Sequence, residues 1–101
     1  MTYVDDLALA IGRTHGCEAH LEEFVPVTLV RLGGIEWDGE VGIFLLTGHP
    51  RARRCYAWGT PRSDEAGPRD ITTVLELPPV VSAETAVRSV LASRAAGGPG
   101  G

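Results

Sequence analysis

The stretch Glu40-Val41-Gly42-Ile43-Phe44-Leu45-Leu46-Thr47, then Gly48 to Arg53, then Arg54-Cys55-Tyr56-Ala57-Trp58, decides the fold. A polar segment follows it, and the chain returns as Asp70-Ile71-Thr72-Thr73-Val74-Leu75-Glu76-Leu77. Three apolar runs of strand length, each bounded by turn residues, describe an antiparallel meander. Val41 to Thr47 is the most continuously apolar run, which predicts a central strand covered on both faces. In Arg54 to Trp58 the residues alternate, with Arg54, Tyr56 and Trp58 on one side and Cys55 and Ala57 on the other.

Working outward, Phe24 to Leu32 is rich in β-branched residues and reads as another strand. Pro26 cannot donate to a ladder, so this strand is expected to lie at an edge or to begin near the proline. Gly33-Gly34 breaks it, and Asp38-Gly39 is a second turn signal. His15 to Glu23 reads as a polar connector. Before it, Val4, Leu7, Ala8 and Ile11 have helical spacing, with Thr2 as N-cap and Asp5 and Asp6 in the first turn. Beyond Pro78-Pro79, Ser82 caps a second helix with Ala86, Val87, Val90 and Leu91 as its apolar stripe. That helix is expected to bury Val87, Val90 and Leu91 against Ile71, Leu75 and Leu77. Gly59 to Arg69 is expected to be a long mobile loop, and 97–101 a frayed Gly/Pro tail. The expected whole is one α+β domain over 1–96, a four-stranded antiparallel meander with both helices packed on one face.

The 101 residues carry a net charge of −4, which argues against direct nucleic-acid binding. That charge is unevenly spread. Residues 1–40 hold eight acids against Arg13 and Arg31, a net of −6, while 41–101 hold five acids against seven arginines. No run reaches the ~18 apolar residues of a membrane helix, and the acidic start lacks the basic opening of a signal peptide. Two cysteines are too few for a disulfide scaffold, so a reduced, cytoplasmic protein is expected.

Few residues suggest chemistry. Cys17 and His20 with His49 and Cys55 offer four ligands of the kind zinc takes, but the spacing His49-x5-Cys55 is not that of a zinc knuckle. Cys55 beside Arg53 and Arg54, with His49 across a turn, has the makings of an activated thiol. It lacks an orienting Asn or Asp and a glycine-rich oxyanion loop. No phosphate-loop, dinucleotide or H-E-x-x-H pattern is present. The expectation is therefore no enzyme, no catalytic residue, no metal and no cofactor. Arg51, Arg53, Arg54, Tyr56 and Trp58 combine arginine with aromatics, the composition of protein-interface anchors. On a sheet with one bare face they make the candidate partner-binding surface, for a protein partner or a second copy. The competing expectations are a small acidic inhibitor of a nucleic-acid-binding protein complex, and a Cys/His metal-binding or catalytic protein.

The run W-D-G-x-V-x-x-F-x-L-T-G-H-P-x-A-x-R-C-Y-A-W (Trp37 to Trp58), followed by T-V-L-E-L-P-P-V and a short helix, resembles a family of small bacterial proteins with no activity assigned. The resemblance covers residues 24–95. It implies a bacterial origin and a modular fold, and nothing catalytic.

Overall fold

A computed structural model describes residues 2–60 and 70–97. Helix α1 (Tyr3–His15) is followed by β1 (Glu18–Arg31), β2 (Gly34–Thr47), β3 (Arg54–Thr60), β4 (Asp70–Leu75) and helix α2 (Ala83–Gly97). The strands form one sheet in sequence order with every pairing antiparallel, so the α+β meander stands. Residues 61–69 and 98–101, where a mobile loop and most of the frayed tail were expected, lie outside the described residues. Gly97 itself closes α2.

Both helices start on their own side chains. The Asp5 N–H donates to Thr2 Oγ1 and the Thr2 N–H donates back to Asp5 Oδ2, a reciprocal cap that satisfies two orphan donors. Gly16 ends α1 in the left-handed conformation, with its N–H on the Gly12 carbonyl at 2.9 Å. At α2 the Thr85 N–H donates to Ser82 Oγ at 3.2 Å, while Thr85 Oγ1 accepts from the N–H groups of Val81 and Ser82.

The helices do not share a face. Leu7 and Ile11 of α1 pack on Phe44, Cys55 and Ala57. Ala83, Ala86 and Val87 of α2 pack with Val27, Leu29, Val41, Tyr56 and Trp58. Successive strand residues point to opposite faces. The odd-numbered Val41 and the even-numbered Phe44 of β2 therefore reach different cores, and the molecule has three layers, α1, sheet and α2. The same parity corrects the expected partners of α2. Ile71 and Leu75 belong to the α1 side, and Val74, the cross-strand partner of Tyr56, packs on the α2 side.

β2 is interior and β1 is an edge strand, as its proline requires. β1 is longer than its composition suggests, for it already begins at Glu18 inside the expected connector. The strand break falls at Leu32-Gly33, and Asp38-Gly39 lies within β2, where Asp38 pairs Thr28 and Gly39 pairs Val27. Gly39 has a packing reason to be glycine, since a Cβ there would meet the Trp37 ring at 3.0 Å. Trp37 in turn sets its ring edge-on to Trp58, 5.8 Å between centroids. Gly42 plays the same part on the other face, where a Cβ would come within 2.9 Å of Phe44 and 3.1 Å of Phe24.

The two-residue turn between β1 and β2 has positive φ at both positions, 53° at Leu32 and 82° at Gly33, the pattern of a type I′ turn. Asn-Gly is the favoured pair there, and a leucine with positive φ is a true outlier. Replacing Leu32→Asn is expected to raise the unfolding free energy by roughly 0.5–1 kcal/mol in a urea melt, because Asn tolerates this conformation.

Candidate interaction surface

The arginine–aromatic group on β3 does not form one exposed surface. Arg51 and Arg53 are exposed, but Tyr56 and Trp58 are 2% and 3% exposed and belong to the core under α2. Alternation does place Tyr56 and Trp58 on one face. That face is covered by α2, and the opposite one by α1. The case for self-association rested on a bare face, so its premise is gone.

Arg54 is also committed within the fold. Its Nε donates to Glu22 Oε1 at 3.0 Å, and its Nη1 lies 3.9 Å from Glu76. The hydrogen bond to Glu22 holds its guanidinium more firmly protonated. Glu22 is the extra residue where the β1–β2 register shifts between Leu21 and Glu23, a bulge that lets it meet Arg54. The Tyr56 hydroxyl donates to Glu76 Oε2, and burial pushes the phenol's pKa up. These side chains line a groove of about 560 Å³ with Val25, Ile43 and Ser82. Its central charges face one another and knit β1, β3 and the segment after β4 together.

The zinc quartet does not assemble. His20 sits in solvent, 3.6 Å from Glu18, while Cys55 is fully buried. Among the described residues no group of three or more His, Cys, Asp or Glu could hold a metal ion. His49 serves its own loop, where Nδ1 accepts the N–H groups of Arg51 and Ala52 at 3.0 Å each. A lone pair at Nδ1 leaves the hydrogen of the neutral ring on Nε2. The imidazole that joins it is His15, which the sequence places in a polar connector with no role in a site. Its ring lies edge-on to His49, 6.4 Å between centroids, and Nε2 is 3.0 Å from Thr73 Oγ1. Burial, and then the neighbouring His49, lower the pKa of His15. Residues 15 and 73 are too far apart in sequence for any local pattern to join them.

Cys55 is the reverse of an activated nucleophile. Burial pushes its thiol up to about 12, whereas nucleophilic cysteines are shifted down. A raised thiol pKa favours the protonated folded state, so its contribution is complete below about pH 8.5 and is lost as pH rises toward 12. The expected result is an alkaline decline in stability above about pH 8.5 of up to ~1.4 kcal/mol per pH unit. Cys55→Ala should flatten that decline in urea melts taken across the range.

Leu9, Leu21, Leu45 and Val81 are exposed one by one elsewhere, while three exposed aliphatic side chains gather at the end of the β1–β2 hairpin. Val30 is 62% exposed, Leu32 98% and Ile35 67%. Val30 and Ile35 are direct cross-strand partners. Val30 also lines a groove with Arg88, Leu91 and Ala92 of α2. Further along the hairpin, past a register shift between Leu29 and Val30, come the pairs Thr28–Asp38 and Pro26–Glu40, all exposed. The other face of these strands carries Val27, Leu29 and Trp37, packed under α2. α1 covers the sheet near Phe24 and Phe44 and leaves the outer half of the hairpin uncovered on its own side. The signal for this surface was in the sequence, as Val30-x-Leu32-x-x-Ile35 around a glycine turn. A strand reading that ends at Leu32 counts Val30 for its β-branching without asking which face it serves, and it leaves Ile35 in the turn stretch that follows.

Among the described residues no helix is long and apolar enough to cross a membrane. Comparison with protein-family models, curated proteins and solved structures gives no match.

Proposed function

We propose that this is a non-enzymatic binding protein that acts through protein–protein contact, with the end of the β1–β2 hairpin as its working surface. One observation carries the reading: three aliphatic side chains, Val30, Leu32 and Ile35, stand in solvent at one tip, one of them on a turn residue with strained backbone. Contiguous exposed apolar surface rimmed by polar residues is characteristic of protein contact sites. Backbone strain at an exposed position calls for a role outside the fold itself. The neutral, buried Cys55 and the self-contained His49 support a non-catalytic reading. The free thiols Cys17 and Cys55 support a reducing, cytoplasmic setting.

The triple variant Val30→Ser, Leu32→Ser, Ile35→Ser tests this. Because all three side chains are exposed, its melting should stay within about 1 kcal/mol of the parent. Affinity capture from cells of the source organism should lose the parent's bound proteins, while Arg51→Ser, Arg53→Ser should retain them. A folded triple variant that captures the same proteins would move the working surface elsewhere.

A further inference from the structure

Resting on that reading, we infer that the hairpin docks into a protein cleft with basic walls and an apolar floor, the kind of cleft that otherwise holds a polyanionic chain. The charge arrangement selects this partner. Along β2, the Val30–Ile35 pair at the tip is followed, past a register shift, by the exposed Asp38 and Glu40. Neither carboxylate has an ion-pair partner among the described residues; Asp38 accepts only the Thr28 hydroxyl at 2.8 Å. The tip's one arginine, Arg31, is already 3.6 Å from Glu36. The hairpin therefore offers an apolar point backed by uncompensated negative charge, inside a 40-residue segment of net charge −6. Exposed carboxylates in such a row are matched by Lys or Arg across an interface, where they set orientation and association rate. The aliphatic tip needs a water-free pocket beyond them.

The hairpin is also stiff enough to insert. Trp37 and Leu29 anchor one of its faces in the α2 core, so little conformational freedom is lost on docking. A lipid surface fits poorly, because an anionic bilayer repels Asp38 and Glu40 as the tip approaches. Among the described residues, a second copy has the exposed Arg13, Arg51 and Arg53 with which to supply basic walls.

The probe is the full chain with p-benzoylphenylalanine at position 32, photo-cross-linked in lysate of the source organism, with the joined peptide sequenced by mass spectrometry. The expected product is a different protein, cross-linked at a segment rich in Lys or Arg beside apolar residues. Its yield should fall about tenfold between about 0.05 M and about 0.5 M NaCl, and comparably in Asp38→Asn, Glu40→Gln at low salt. The Asn at 38 keeps an acceptor for Thr28, so the variant is expected to fold. A cross-link to another protein at a neutral or acidic segment, or one insensitive to salt, overturns the basic cleft and leaves the protein-contact reading standing. A cross-link only to a second copy overturns the basic cleft of another protein and leaves protein contact at the tip standing; cosedimentation with phosphatidylglycerol vesicles alone, or no product at all, overturns both.

Discussion

Trp58→Ala is expected to lower the unfolding free energy by about 3–5 kcal/mol, a large share of the stability of a small domain. Trp58 is 3% exposed, sits edge-on against Trp37, and belongs to the cluster that holds α2 on the sheet. Its removal leaves a cavity bounded by two strands and a helix, none of which can close over it without moving the others. The measurement is a urea melt followed by far-UV circular dichroism. An interface anchor standing in water would give a loss under about 0.5 kcal/mol.

Phe44→Ala tests the opposite layer and is expected to be as damaging, about 3–5 kcal/mol. Phe44 is fully buried in the cluster with Leu7 and Ile11 of α1 and with Cys55 and Ala57 of β3. Gly42 next door leaves the space its ring occupies. Since Phe44 and Trp58 lie in separate clusters on opposite faces, their effects should be close to additive. The double variant would then stand near or past the limit of folding. A strongly sub-additive result would mean one shared core, and hence both helices on one face.

That arrangement of helices was half legible in the sequence. Val41 and Ile43 are apolar on one side of β2, Phe44 and Leu46 on the other, which already requires cover on both faces. Which helix takes which face depends on how the chain crosses the sheet, and helical periodicity carries no information about that. Helix α1 was readable because Thr2, Asp5 and the Leu7–Ile11 spacing are local. β1 was placed at an edge by Pro26. Its start at Glu18 was hidden because exposed edge residues such as Glu18, His20 and Glu22 look like a connector. Asp38-Gly39 carried a turn signal but served a different need, room for the Trp37 ring, while the real turn used a leucine where asparagine is usual. Alternation joined Tyr56 with Trp58 correctly, yet it does not say whether a face is wet or covered. Burial of the aromatics, the pairing of Arg54 with Glu22 and the meeting of His15 with His49 are all long-range facts.

Hydroxyl-radical footprinting of the full chain, free and in its captured complex, tests the central claim most directly, because it reads side-chain exposure and contact together. In the free protein Leu32, Val30 and Ile35 should label strongly while Tyr56 and Trp58 stay unlabelled; in the complex the three tip residues should lose most of their labelling. Strong labelling of Trp58 in the free protein, lost on complex formation while Leu32 stays reactive, would contradict the account.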